Sequence, residues 1–155
     1  MRVISGIHKS KPLESMEGRN TRPTMDKVKE GIFNSLHEVS GIGLDLFAGS
    51  GALGIEALSR GMEKVIFVDQ NFKAIKIIKA NLQHLNIYDQ AEVYKNNADR
   101  ALKALSKRAM QFDVIFLDPP YDKGLIDEAL DGIIKFNLLK AVSYTHLTLP
   151  TTPYV

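Results

Sequence analysis

The segment Asp118-Pro119-Pro120-Tyr121 directly follows the apolar run Phe112–Leu117 and brings together a carboxylate, two prolines and an aromatic ring. Two successive prolines remove two backbone N–H donors and fix φ, so a strand must end there with carbonyl oxygens that have no competing donors. A planar exocyclic amine could donate to the Asp118 carboxylate and the Pro119 carbonyl while Tyr121 stacks on its ring. The segment therefore indicates activation of an amine, although an ordinary turn with a surface tyrosine would explain these four residues equally well.

A glycine-rich segment, Asp45-Leu-Phe-Ala-Gly-Ser-Gly51, separates a short apolar stretch from a good helix-forming sequence. It predicts the first strand, loop and helix of a nucleotide-binding α/β unit. Gly49 and Gly51 would allow a tight turn and close approach to a ligand, and Gly54 would let the helix pack closely on the sheet. Asp69 ends the next predicted strand at about the ~20-residue spacing expected of a carboxylate that binds ribose hydroxyls.

The three glycines also match the dinucleotide fingerprint Gly-x-Gly-x-x-Gly, so a nicotinamide dinucleotide site is the main alternative. Asp45 argues against it, because a buried carboxylate needs a cationic or donating partner and would repel a pyrophosphate. The ammonium of an amino-acid group would instead be attracted. S-adenosylmethionine (SAM) carries that ammonium, together with a ribose that could reach Asp69. The sequence contains no Gly-Lys-Ser/Thr of a phosphate-binding P-loop.

With both segments, the chain resembles the RsmD family of bacterial SAM-dependent methyltransferases, which modify guanine N2 in small-subunit ribosomal RNA. The resemblance extends from Arg2 to about Leu139 and includes Arg22-Pro-Thr24 and Asn97-Ala-Asp99. It implies SAM as the cofactor, without a metal. The implied cofactor-binding residues are Asp45, Phe47, Ala48, Gly49, Ser50, Gly51, Asp69, Ala98 and Asp99. Ala98 would offer its backbone to the adenine and Asp99 would accept from the adenine amino group, although Asp99 could instead only cap a helix.

The resemblance also implies catalysis by Asp118, Pro119, Pro120 and Tyr121, with a flipped-out guanine held against Tyr121. Residues 1–29 contain seven Lys and Arg against three acids, a local charge of +4 in a chain whose net charge is +2. Such a basic arm fits contacts to an RNA backbone, although solvated surface lysines would look the same. The residues expected to contact RNA are Lys9, Lys11, Arg19, Arg22 and Thr24.

Other amines suit the same chemistry. Asp/Asn-Pro-Pro-aromatic segments could also activate adenine N6 in DNA or glutamine N5 in a protein, so both methyltransferase classes stay open. A SAM- or RNA-binding fragment without turnover is a further alternative. His8, His37, His84 and His146 show no spacing typical of metal ligands or a catalytic triad, and we assign them surface or structural roles.

The elements that must position these residues alternate between strand and helix along the chain. This pattern predicts a Rossmann-like parallel sheet with helices on both faces and a small β-hairpin at the amino terminus. Ligands of such sheets bind beyond the carboxyl ends of the strands, where Asp45, Asp69, Asn97–Asp99 and Asp118 would meet. The helix after Asp69 has Ile75, Ile78, Leu82 and Leu85 at helical spacing, and with Phe72 this stripe is expected to lie in the core.

Composition is typical of one soluble α/β domain. The chain has 155 residues, 45% hydrophobic and 25% charged, and no cysteine, which fits a reducing cytoplasm. The expected oligomeric state is a monomer. The expected organisation is a basic arm at 1–23, a methyltransferase domain at 24–140 and an atypical tail at 141–155. The Thr- and Pro-rich tail resembles nothing in the family. A lineage-specific tail is one explanation. If the chain is instead truncated, we expect an incomplete sheet whose strand before Asp118 is an exposed apolar edge.

Overall fold

The fold is a five-stranded parallel sheet with helices on both faces, seen in a computed structural model that describes residues 1–16, 23–36, 39–119 and 123–147. Side chains are described for these residues except 23–25, 123 and 141–147. The strands are β1 Ile42–Asp45, β2 Lys64–Asp69, β3 Ala91–Lys95, β4 Phe112–Leu117 and β5 Leu139–Leu147. The helices are α1 Pro23–Ser35, α2 Ala52–Ser59, α3 Phe72–His84, α4 Ala98–Lys107 and α5 Lys123–Lys135.

The strand order is β3-β2-β1-β4-β5, and every pairing in the sheet is parallel. The predicted fold class is therefore confirmed. Chain order reverses between β1 and β4, which is the switch point where open parallel sheets bind ligands. The segments that the sequence analysis singled out, Asp45–Gly51 and Asp118–Tyr121, follow these two strands.

Each face of the sheet is buried under its own helices. Phe67 and Phe116 point to the face covered by α1, α2 and α3, and Phe116 lies 5.6 Å from Phe33 of α1 between ring centroids. Leu44 and Ile115 point to the opposite face and pack with α4 and α5. Because both faces are covered, the central strands are continuous apolar runs, which is what made them recognisable in the sequence.

The amino-terminal segment is a hairpin that packs into the core. Its two predicted strands reduce to one antiparallel bridge, Arg2 with Pro12, supported by Val3 N–H donating to the Lys11 carbonyl at 3.0 Å. Met1, Val3 and Leu13 are buried with the helices of the first face. The hairpin is thus held on the same side of the sheet as α2 and α3.

The stripe predicted to make α3 a core helix is confirmed for Ile75, Ile78, Leu82 and Leu85, which are buried. The expectation for Phe72 is wrong, since its side chain is 63% exposed. Phe72 is the first residue of α3 and lies before the buried face of the helix begins.

The tail contributes a strand, so the expected exposed edge at β4 is not present. β5 pairs with β4 in parallel from Val114 opposite Tyr144 to Leu117 opposite Leu147, after a register shift near Phe112. The run Tyr144-Thr-His-Leu147 contains aromatic and β-branched residues, which strands favour. A tail can therefore form a strand through backbone pairing even where its sequence does not resemble the family. Within the described ranges, none of the helices is both long and apolar enough to span a bilayer.

Candidate active site

Three carboxylates surround the carboxyl end of β1. Asp45 is paired in register with Phe67 on β2 and with Phe116 on β4, so Asp69 and Asp118 each lie two residues farther along their strands. Two strand spacings separate β2 from β4, about 10 Å. Side chains alternate between faces, which places Asp69 and Asp118 on the same face as Phe67 and Phe116. The structure therefore brings these three predicted residues to one side of one sheet edge.

Asp45 is buried, with 1% of its surface exposed. The Gly54 backbone N–H donates to its Oδ2 at 3.0 Å. Burial raises the pKa of Asp45 to about 7; the Gly54 hydrogen bond opposes the shift, and the negative charges of Asp118 and Asp69 add to it. No salt bridge among the described residues includes Asp45, so a cationic group entering this site would meet a carboxylate without a cationic partner.

Asp69 holds the glycine loop in place. Its Oδ2 accepts from Gly49 N–H at 2.9 Å and its Oδ1 from Asn71 N–H at 2.8 Å, so both oxygens are oriented by backbone donors. Gly49 has φ of +57°, and a Cβ built there would have no atom within 4 Å. The loop thus turns as the sequence predicts and leaves an open side where a ligand could approach the backbone.

Helix α2 packs closely on β2 at Gly54. A Cβ at this position would lie 2.3 Å from Cε2 of Phe67, so only glycine fits. This close packing confirms the structural reason given for Gly54, and it also brings the Gly54 N–H within reach of Asp45.

Asn81 of α3 is a positioning residue that the sequence analysis missed. It is 2% exposed, and its Nδ2 donates to the carbonyls of Ser50 at 3.1 Å and Glu14 at 3.0 Å, while its Oδ1 accepts from Glu14 N–H at 2.8 Å. It thereby joins the glycine loop to the amino-terminal segment. The available signal was an amide on the apolar face of a helix, where a polar group requires partners.

The segment after β3 stands at the amino terminus of α4, where Asn97 caps the helix by accepting from Arg100 N–H at 2.8 Å. The alternative that Asp99 is the cap is therefore wrong. The Asp99 side chain is 75% exposed and lies 3.4 Å from Lys103 Nζ. Ala98 and Phe47 are half-buried, and Ala48 is buried.

The remaining predicted residues are described only in part. Asp118 is half-buried and Pro119 is buried, whereas Pro120, Tyr121, Arg19 and Arg22 lie outside the described residues, as does the side chain of Thr24.

Lys9 and Lys11 are exposed on the hairpin, and the His8 N–H beside them donates to Ser59 Oγ at 3.0 Å. Since Ser59 ends α2, the turn of the hairpin lies one helix length, about 12 Å, from the glycine loop. A hollow of about 530 Å³ also lies here, lined by Ile7, Arg60 and Glu63 among others. It is at the amino ends of the strands, away from the three carboxylates.

Comparisons with known proteins identify relatives along most of the chain. The model of a family described as conserved hypothetical protein 95 matches residues 1–149, so the match reaches into the tail that was expected to resemble nothing in the family. The Bacillus subtilis protein YlbH is 53% identical over 142 residues, which are 90% of this chain and 77% of YlbH. Ribosomal RNA small subunit methyltransferase D of Haemophilus influenzae is 39% identical over 145 residues, 90% of this chain and 74% of that protein.

A solved structure shares the fold over nearly the whole chain. The structure of the Escherichia coli protein yhhF superposes with a TM-score of 0.80 at 28% identity, covering 99% of this chain and 84% of that chain.

Proposed function

Because the chain belongs to the family of conserved hypothetical protein 95, the RsmD family, we propose that it methylates the exocyclic N2 amine of a guanine in small-subunit ribosomal RNA with SAM as the methyl donor. The observation that carries this proposal is the set of three carboxylates at the switch point of the sheet. One of them, Asp45, is buried beside a glycine loop without a cationic partner among the described residues.

The site fits SAM better than a dinucleotide. Asp45 would hold the ammonium of the methionine part, and the electrostatics that favour a cation there would repel a pyrophosphate. Asp69 would accept from the ribose hydroxyls, since its carboxylate is already oriented by Gly49 and Asn71. The backbone of Phe47–Gly51 would line the cofactor, and Ala98 and Asp99 would contact the adenine. When bound, SAM supplies an electrophilic methyl group on a sulfonium.

The protein's part in the chemistry would be to position and activate the amine. Guanine N2 is a poor nucleophile because its lone pair is delocalised into the ring. Asp118 and the Pro119 carbonyl would accept its hydrogens, which favours the pyramidal amine, and the proton lost on methylation would pass to Asp118 or to water. Positioning in line and exclusion of water would supply most of the rate enhancement.

In this proposal, Pro120 adds no backbone N–H donor that would compete for the acceptors of the amine, and the flipped guanine stacks on Tyr121. The arm residues Lys9, Lys11, Arg19, Arg22 and Thr24 remain predicted RNA contacts. Ribosomal RNA, alone or in an assembling small subunit, is the proposed partner.

The test measures methyl transfer from SAM to small-subunit ribosomal RNA and identifies the product by nucleoside mass spectrometry. Asp118→Ala should lower kcat by about 10²-fold or more, with nearly unchanged affinity for S-adenosylhomocysteine, because the amine loses its acceptor. Asp69→Ala is the matched control, and its main effect should be weaker binding of the cofactor.

Other results would reject the proposal. Turnover of Asp118→Ala near the wild-type rate would remove Asp118 from the chemistry. Methylation of adenine N6 in DNA or of glutamine, without N2-methylguanosine in ribosomal RNA, would establish one of the rival activities. In calorimetric titrations, S-adenosylhomocysteine should bind and NAD should not, and the reverse pattern would exclude a methyltransferase.

A further inference from the structure

Helix α3 presents a basic outer face. Lys73, Lys76 and Lys79 are exposed on it, and Phe72 stands at its first position. The opposite face of the helix is buried in the core. The sequence of α3 from Phe72 to His84 contains no Asp or Glu, so the charges of its lysines are not balanced within the helix. We call Phe72, Lys73, Lys76 and Lys79 the α3 outer face.

Among the described residues outside α3, six basic side chains are neutralised by a neighbouring acid. Lys29 and Arg60 contact Glu56, Lys64 and Arg108 contact Glu92, Lys103 contacts Asp99, and Lys140 contacts Asp113. Across the described ranges of the chain, Lys73, Lys76 and Lys79 take part in no salt bridge. The α3 outer face thus keeps three positive charges that are available to an anionic partner.

The exposed aromatic ring on this face has a geometry suited to stacking. Phe72 is 63% exposed, and Lys76 Nζ lies 5.8 Å from the centroid of its ring. The ring therefore leans along the outer face of α3 toward the next turn. An exposed aromatic ring beside lysines is the combination with which proteins hold unpaired bases and the adjoining phosphates.

The position of α3 connects this face to the active site. The helix starts three residues after Asp69, at the carboxyl end of β2, and it covers the face of the sheet to which Asp69 and Asp118 point. Asn81 of α3 hydrogen-bonds to the backbone of Glu14, which belongs to the same amino-terminal segment as the predicted RNA contacts Lys9 and Lys11. Helix α4, with Lys103, covers the opposite face. The turn that carries Lys9 lies at the far end of α2.

We propose that the α3 outer face binds the phosphate backbone of the substrate RNA, with Phe72 stacking on an unpaired base beside the one that enters the active site. This inference rests on the proposed function. It adds a second RNA-binding surface to the amino-terminal arm and places the path of the RNA over α3.

The test compares two triple variants that each remove three positive charges. Lys73→Ala/Lys76→Ala/Lys79→Ala changes the α3 outer face. Lys103→Ala/Lys107→Ala/Arg108→Ala is the matched control on α4 and the residue that follows it. Binding of a small-subunit ribosomal RNA fragment is measured by fluorescence anisotropy over about 50 to 200 mM salt, with saturating S-adenosylhomocysteine. The α3 variant should lose about 0.7 to 0.9 of salt slope for each phosphate contact removed, and the control should keep the wild-type slope.

Phe72 is tested separately because stacking is insensitive to salt. Phe72→Ala should weaken RNA binding by about fivefold to a hundredfold without changing the salt slope, the range expected when one base loses its stacking partner. Affinity for S-adenosylhomocysteine and the melting temperature should stay at wild-type values in both Phe72→Ala and the α3 triple variant, which separates an RNA contact from a structural role.

The outcomes distinguish this inference from the proposed function. If the wild-type protein neither binds nor methylates the RNA, the proposed function fails and this inference fails with it. If the wild type binds and methylates but the α3 variant binds with the same salt slope, the inference alone is overturned. Equal losses in the α3 and α4 variants would indicate a general charge effect and would also overturn it. A loss seen only with protein-containing subunit particles would identify a protein partner instead of RNA.

Discussion

At the scale of single residues, Asp45 shows how position determines chemistry. The same carboxylate on the surface would be ionised and hydrated, but here it lies between two strand neighbours and under α2, with one backbone N–H as its donor. Its pKa rises to about 7, first because burial disfavours the charged form and then because of the charges of Asp118 and Asp69. The ligand-free protein therefore keeps a proton that the unfolded chain would lose near pH 4.

This difference predicts how stability depends on pH. Between about pH 4 and pH 7 the folded state binds one more proton than the unfolded state, so stability falls as pH rises and levels off above about pH 7. The loss is on the order of 4 kcal/mol for a shift of about three units. Asp45→Asn removes this contribution. Denaturant unfolding of ligand-free wild type and variant at several pH values should therefore show the variant gaining relative stability as pH rises, and parallel curves would contradict the assignment.

Some residues of the site can be identified from the sequence and others cannot. Asp45, Asp69 and Asp118 were identifiable because each follows an apolar run, and parallel strands bring their carboxyl ends to one edge. Asn81 and Phe72 were not, because only the packing of α3 determines that Asn81 faces Ser50 and that Phe72 remains outside the core. Helical spacing alone predicts, wrongly, that Phe72 lies on the buried face of α3.

At the scale of elements, β2 ends at Asp69 and β4 spans Phe112–Leu117 as the sequence predicts, because an apolar run ending at a charged residue determines a buried strand locally. The docking of the amino-terminal hairpin was not predictable in this way. It depends on Glu56, which is fully buried within α2 and accepts from the N–H groups of Ile4 at 2.9 Å and Ser5 at 3.0 Å. Nothing local distinguishes this glutamate from one on a solvated helix face.

Glu56 also pairs with two cations, Lys29 Nζ at 3.3 Å and Arg60 Nε at 2.8 Å. Burial lowers the pKa of Lys29, and the charge of Glu56 opposes that shift. Glu56→Ala would leave the buried ammonium of Lys29 without the carboxylate that contacts it. We therefore expect it to lower the free energy of unfolding by about 3 to 5 kcal/mol. Lys29→Met/Glu56→Gln should recover part of this loss.

Urea unfolding measures the effect of Glu56→Ala, and hydrogen exchange locates it. The amides of Ile4 and Ser5 should lose protection in Glu56→Ala before those of β1 do. A variant with wild-type stability and full protection at these two amides would show that the hairpin is held by its apolar contacts alone.

At the scale of the whole molecule, the sheet needs β5 to cover β4. The side chains of Val114, Ile115, Phe116 and Leu117 are buried. The backbone of the first three pairs with β1 on one side, and all four pair with β5 on the other. Without β5, an apolar strand directly before Asp118 would present unpaired backbone groups, which favours edge-to-edge association. The same segment carries the proposed catalytic residues, so the integrity of the sheet and the geometry of the active site depend on one strand pair.

Truncation tests this dependence. A chain ending after Leu138 keeps the hydrogen bond from Phe112 N–H to the Leu138 carbonyl, 2.7 Å long, but lacks β5. A control chain ending after Leu147 keeps the whole strand. Since only the first exposes the edge of β4, it should form concentration-dependent aggregates in light scattering, and its β4 amides should exchange faster than those of the control. The control should remain monodisperse and bind S-adenosylhomocysteine as tightly as the intact chain. If both truncated chains stayed monodisperse with equal protection of β4, the pairing of β5 would contribute nothing to the sheet, and the order β3-β2-β1-β4 would suffice for the fold.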